Sequence, residues 1–324
     1  MHSNLDKLIL ELKQRLAPIQ EQVNAEYGMP KWPVGLIIGP PRSGTTVFLQ
    51  FLASTGHFSY PSNLLARFAY APYIGALVQK MLLNSEFDPH GDFADIRSTP
   101  SFDSELGKSK GALATNEFFH FWRISLNRYF PEPFTEQELE KIDYDRLTAG
   151  LASIEAAFQK PFCTKEMLLQ YNLSKFFKHQ PYSFYFRLVR NPIYVCQSIL
   201  QARIKYSGSK EEWWSAKPEE YEKLKVLDVY RQIAGQVYYT EKAIDAGLSE
   251  VPDENQLTIS YERFCSDPES IYREIVDKYN SLGYELPCEL NSAYRFRSTN
   301  EFRLPIEEIK KFKEAYAELC SLNE

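Results

Sequence analysis

The stretch Val34 to Phe51, VGLIIGPPRSGTTVFLQF, constrains this chain more than any other. Val34, Leu36, Ile37 and Ile38 form a short apolar run of the kind carried by a strand buried on both faces. Gly39-Pro40-Pro41 breaks that run, and Thr45 to Ser54 can resume as a helix. A strand, a glycine-bounded loop and a helix start together form an anion cradle. Successive backbone N–H groups turn inward, and the positive end of the helix dipole faces the negative group.

Gly39 and Gly44 are spaced as in a nucleotide P-loop, but Thr45 stands where a lysine would reach the outer phosphates. Arg42 supplies a cation earlier in the loop, with a planar fork suited to oxyanions. A second anion signature is Arg187-Leu188-Val189-Arg190-Asn191-Pro192, followed by Ser198. Asn191-Pro192 ends a strand and starts a helix, because proline is tolerated in a first turn whose N–H groups are unpaired anyway. At about 3.6 residues per turn, Tyr194, Ser198 and Gln201 share a face. An arginine at the strand end and a serine two turns into the helix can converge on one phosphate.

Pro40-Pro41-Arg42-Ser43-Gly44-Thr45-Thr46 resembles the 5′-phosphosulfate loop of the sulfotransferases that use 3′-phosphoadenosine 5′-phosphosulfate. The arginine-containing form is similar to that of tyrosylprotein and many carbohydrate or bacterial members. Arg190 and Ser198 resemble the family's 3′-phosphate site, and Lys165 is placed like the active-site lysine of the tyrosylprotein branch. Tyr261 in Ile259-Ser260-Tyr261-Glu262 resembles a tyrosine near the cofactor, and Arg297-Ser298-Thr299 a late loop over the adenosine phosphate. Glu212-Trp213-Trp214-Ser215 with Lys217-Pro218 is similar to a bacterial segment and has no chemical task assigned to it. The resemblance runs from residue 34 to about 300, with gaps.

That resemblance implies an α/β fold, a three-layer sandwich with a mostly parallel central sheet, P-loop NTPase-like. Residues 1–324 would form a single domain, with 1–30 a helical extension and 34–300 the core. It implies transfer of a sulfuryl group to a hydroxyl or phenol acceptor, carbohydrates included, leaving 3′-phosphoadenosine 5′-phosphate. Cofactor binding would fall to Arg42, Ser43, Gly44, Thr45, Thr46, Arg190, Ser198, Tyr261, Arg297 and Ser298. Arg42, Lys165 and the loop N–H groups would stabilise developing charge without a metal. Two other readings stay open: a P-loop small-molecule kinase, and a non-catalytic nucleotide-binding protein of the same fold.

A base must also take the acceptor proton. The tyrosylprotein branch places a glutamate after the loop helix, where this chain has Tyr60-Pro61-Ser62-Asn63. Glu117, set among Phe118, Phe119, Phe121 and Trp122, is the first choice, since apolar surroundings would draw a carboxylate towards the working range of a base. His120 is the second, and on a helix it would share a face with Glu117. His57, following the helix-ending Gly56, reads as a cap, and His90 and Asp92 stand behind these.

The remainder of the chain reads as support. Leu5, Leu8, Leu12, Leu16 and Ile19 mark an amphipathic helix over 4–22, which would pack outside the core or mediate a homodimer. A helical stretch follows residue 63 up to about 83, and 84–110 is irregular, as a lid or acceptor loop would be. Strands are expected at 161–165, 183–189 and 256–260, each delivering a polar residue at its C-terminal end. A long helix over 224–246 would stop at Gly247. A net charge of −6 argues against nucleic-acid or anionic-membrane partners. Five scattered cysteines lack disulfide or zinc spacing and point to a reducing compartment. With no apolar leader or membrane-length run in the sequence, the expected location is the cytoplasm.

Overall fold

Strand β1 (Val34–Ile38) is apolar and buried at every position, so it can only lie inside a sheet covered on both faces. The computed structural model describes residues 4–97, 104–105, 108–290 and 295–322. Helix α1 (Asn4–Glu26) precedes β1, and α2 (Thr45–Thr55) and α3 (Pro72–Leu83) follow it. A small hairpin of β2 (Ser104–Glu105) and β3 (Lys108–Ser109) leads to α4 (Phe119–Leu126), α5 (Glu136–Leu139) and α6 (Tyr144–Phe158). Next come β4 (Cys163–Lys165), α7 (Leu173–His179), β5 (Ser183–Val189), α8 (Pro192–Ser207), α9 (Tyr221–Leu224) and α10 (Val229–Leu248). The chain ends with β6 (Gln256–Ser260), α11 (Tyr261–Ser266), α12 (Pro268–Ser281) and α13 (Ile306–Ser321).

The main sheet has the order β4-β1-β5-β6, and each of its pairings is parallel. Alternation along β1 assigns the layers. Val34, Leu36 and Ile38 face a cluster from α4, α6, α7 and the end of α10, while Ile37 faces α2, α11 and α12. A third cluster joins α8, α10 and α13. The amphipathic α1 lies against α6, where buried Gln20 donates to Ser153 Oγ at 3.1 Å and accepts from Tyr73 N at 3.0 Å. The expected layered architecture holds.

Strand order also locates the functional edge. From β1 the chain goes on to the β4 side of the sheet, whereas from β5 it goes on to β6. The two connections diverge, opening a crevice at the C-terminal ends of β1 and β5.

Two helix expectations need correction. The helix expected over 224–246 is divided, because Asp228 accepts from Tyr230 N at 3.0 Å and Arg231 N at 3.2 Å and so caps a new start. Gly247 lies inside α10 instead of ending it, and its role is close packing: a Cβ there would come within 3.0 Å of Leu173 Cβ. The stretch after residue 63 begins as a 3₁₀ turn (Leu65–Phe68) before α3. Residues 98–103 and 106–107 of the irregular segment lie outside the described residues. Among those described, no helix is long and apolar enough to cross a membrane.

Two buried carboxyls make stability depend on pH. Glu155 of α6 accepts from Lys31 N at 2.5 Å and Trp32 N at 3.1 Å, pinning the segment before β1. Burial pushes it up to about 7, and pushes Glu166, just after β4, up to about 8. Both native values lie above the ordinary 4.5, so between those limits the native state binds more protons than the unfolded one. Stability therefore falls as pH rises through that window, by at most about 1.4 kcal/mol per pH unit for each group. Urea unfolding should show this decline, and Glu155→Gln should flatten it below pH ~7. A variant as steep as wild type would contradict the assignment.

Candidate active site

The loop after β1 depends on backbone that few residues adopt. Gly44 has φ 103°, and a Cβ there would meet the Tyr261 ring at 2.5 Å. At Gly39 a Cβ would lie 2.7 Å from the Leu188 carbonyl oxygen and 2.6 Å from Ser43 Oγ. Arg42 takes φ 74° although it has a side chain, a strain that ligand-binding loops often hold. Ser43 Oγ is fully buried with no hydrogen-bond partner among the described residues. An orphaned hydroxyl at the start of a helix fits an anion's oxygen.

Arg42 and Arg190 are bound into one unit at the crevice. Arg42 Nε donates to Ser198 Oγ at 2.9 Å, and Arg190 Nη1 donates to the Arg42 carbonyl at 3.0 Å. Asn191 caps α8 through Ile193 N at 3.1 Å and Pro192 fills its first turn, as the sequence predicts. Arg190 also donates from Nε to Asn300 Oδ1 at 2.8 Å and from Nη2 to Thr299 Oγ1 at 3.1 Å. Its guanidinium lies 4.4 Å from the centroid of the Tyr261 ring. Burial lowers the pKa of both arginines, and for Arg42 the neighbouring Arg190 lowers it further.

A third group arrives from β4. Ile37 pairs with Lys165 in register, so the lysine stands beside the root of the loop. Its Nζ lies 2.6 Å from Glu117 Oε1, with Lys165 8% and Glu117 41% exposed. Behind them, Glu166 Oε1 accepts from Leu168 N and, at 3.1 Å, from Leu169 N, which fixes the turn after Lys165. Two expectations for Glu117 change here. It precedes α4 instead of lying on it, since Phe118 takes φ 55° and the helix starts at Phe119. Its carboxylate is half-exposed against Lys165, because the buried rings of Phe118, Phe121 and Trp122 turn into the core. His120 is exposed and lines the same cavity.

One cavity of 1190 Å³ gathers Arg42, Gly44, Thr45, Thr46, Lys165 and Arg190, together with Glu117, His120 and Tyr261. Arg297 lines it too, though its side chain is 87% exposed and paired with Glu301 at 3.0 Å. Ser298 Oγ accepts from Asn300 N at 3.3 Å, shaping the turn that presents Asn300. His57 is held elsewhere, by the Glu289 carbonyl at 2.9 Å and the Tyr272 ring.

Sequence reasoning gives no role to Asn300 or Gln197. Gln197 Nε2 donates to Glu301 O at 2.8 Å while its Oε1 accepts from Arg303 N at 2.6 Å and Leu304 N at 3.1 Å. A buried glutamine one residue before Ser198 thus clamps the late loop. Only the neighbouring Arg190-to-Ser198 signature hinted at it. Trp213 and Trp214 gain a place as cavity wall, on a turn whose Trp214 and Ala216 carbonyls both accept from Gln236 Nε2, at 2.8 and 2.6 Å.

A family model described as "Sulfotransferase family" matches residues 33–281. Among solved structures the chain is similar to sulfotransferase STF9 from Mycobacterium avium, at 14% identity and TM-score 0.54, over 99% of this chain and 86% of that one. It is likewise similar to sulfotransferase STF1 from Mycobacterium tuberculosis H37Rv, at 15% identity and TM-score 0.54, over 95% of this chain and 81% of that one. At such identities the likeness shows a shared fold. No curated protein matches the sequence.

Proposed function

The chain belongs to the sulfotransferase family, and from that premise we propose that it transfers a sulfuryl group from 3′-phosphoadenosine 5′-phosphosulfate to an acceptor hydroxyl or phenol. The observation that carries this reading is the convergence of Arg42, Arg190 and the Lys165–Glu117 pair on one cavity at the crevice. The 5′-phosphosulfate end is assigned to the loop from Arg42 to Thr46, where the orphaned Ser43 hydroxyl and the start of α2 fit an oxyanion. The 3′-phosphate is assigned to Arg190, whose present partners Thr299 and Asn300 are neutral acceptors that a phosphate can replace. Ser198 contributes through Arg42, and Tyr261 supports the Arg190 guanidinium from its ring face.

Chemistry then follows from position. The acceptor oxygen bonds to sulfur as the bond from sulfur to the bridging phosphate oxygen breaks. Glu117 takes the acceptor proton, with His120 as the alternative base, and Lys165 and Arg42 stabilise charge gathering on the bridging oxygen. Cationic side chains do the work of charge neutralisation. The five free cysteines accord with a reducing compartment, and we place the chain in the cytoplasm.

Radiolabelled sulfuryl transfer from the donor should proceed in EDTA, and phosphate transfer from ATP should not. Strict magnesium dependence, or transfer from ATP, would overturn the reading. Arg190→Ala should weaken 3′-phosphoadenosine 5′-phosphate by about 2 kcal/mol or more in calorimetry, while adenosine 5′-phosphate changes little. Equal weakening of both nucleotides contradicts the 3′-phosphate assignment. Glu117→Gln should lower turnover by ~100-fold with nucleotide affinity kept. If that variant is near normal and His120→Ala is inactive, the histidine is the base.

A further inference from the structure

The cavity's 1190 Å³ exceeds the roughly 300–1,000 Å³ of ordinary ligand pockets, leaving room for an acceptor beside the donor. Its charge is out of keeping with the chain. The net charge is −6, yet among the described residues every charged side chain lining the cavity is cationic except Glu117. The cations divide by their partners. Arg42, Arg190, Lys165 and Arg297 are held by Ser198, the late loop, Glu117 and Glu301, all on the donor side.

Arg295 stands near Arg297, and Arg67, Lys108 and Arg123 form the other set, delivered by the 3₁₀ turn, β3 and α4. Among the described residues, none of these three is in an ion pair with a carboxylate. Arg123 lies 4.2 Å from the Phe119 ring centroid and donates from Nε to Tyr129 O at 3.1 Å, and burial lowers its pKa. Lys108 Nζ lies 4.9 Å from the centroid of Tyr206, whose ring stacks on Trp214 at 5.8 Å. All three line the cavity, so an anion bound on this side has cationic donors to meet it. The half-buried indoles of Trp213 and Trp214 line the same cavity, Trp213 against Arg203 and Tyr221 and Trp214 against Tyr206.

We propose that the acceptor is itself anionic: a hydroxyl-bearing ring compound carrying a carboxylate, sulfate or phosphate. Its ring packs against the Trp213–Trp214 wall, and its anion is met by Arg67, Lys108 and Arg123. This rests on the sulfuryl-transfer reading, which supplies the need for an acceptor. A phenolic acid and an acidic saccharide present the same chemistry, so both are tested.

Calorimetry is run on the full chain saturated with 3′-phosphoadenosine 5′-phosphate. The probes are 4-hydroxyphenylacetate against its methyl ester, and a phenyl glucuronide against the phenyl glucoside. The charged member of at least one pair should bind about tenfold tighter or more, and its advantage should shrink with added salt. Which pair responds identifies the source. Arg67→Gln/Arg123→Gln should erase the advantage while nucleotide affinity stays within about twofold, a contrast that misfolding would not produce. Charged members binding no tighter in either pair, or an advantage that survives the double variant, overturns the proposal. Failure of the nucleotide itself to bind instead marks failure of the sulfuryl-transfer reading.

Discussion

Two adjacent arginines at the ends of β1 and β5, Arg190 buried and Arg42 half-buried, set the terms for the rest of the molecule. Arg190 reaches the Arg42 carbonyl at 3.0 Å, and burial together with that second cation lowers the Arg42 pKa. Desolvated like charges are unfavourable unless each N–H finds an acceptor. Those acceptors come from separate parts of the chain: Ser198 from α8, and Thr299 with Asn300 from the late loop. Gln197 keeps that loop in place through the backbone of Glu301, Arg303 and Leu304. An incoming phosphate or sulfate improves the balance, because it replaces neutral acceptors with charge. The proposed anion site is thus part of the way the sheet edge is closed.

The cavity has two origins. Its donor half stands on the ends of parallel strands and on a loop whose glycines permit contacts of the kind Gly44 makes with Tyr261. Its other half is assembled from connections: the hairpin that brings Lys108, the start of α4, and the Trp213–Trp214 turn. Strand ends are held by ladder hydrogen bonds and a buried core, so the first half is rigid by construction. Connections vary more readily than sheets, so the second half is the freer of the two to differ.

Much of this was legible in the sequence for a physical reason. The strands at 183–189 and 256–260 have the expected bounds; the first carries a nearly unbroken apolar signal because it is buried within the sheet, while the second is a partly exposed edge strand. The loop and the Arg190-to-Ser198 junction were legible because glycine, proline and asparagine carry local backbone preferences. What stayed hidden depends on distant neighbours. Glu117 was found, but its partner Lys165 lies 48 residues away, and the left-handed Phe118 that takes it off α4 has no sequence signal. Gly247 looked like a helix stop because its need for space against Leu173 is a tertiary fact. Asn300 and Gln197 are short polar residues whose importance lies in what they touch.

The structure of this chain with 3′-phosphoadenosine 5′-phosphate bound is the most direct measurement. The 5′-phosphate should lie against the backbone N–H groups of Ser43 to Thr46, with the Ser43 hydroxyl now paired. The 3′-phosphate should take over Arg190 from Thr299 and Asn300. A nucleotide seated away from the β1 and β5 ends, or one that leaves Arg190 with its present partners, would contradict the shared anion site.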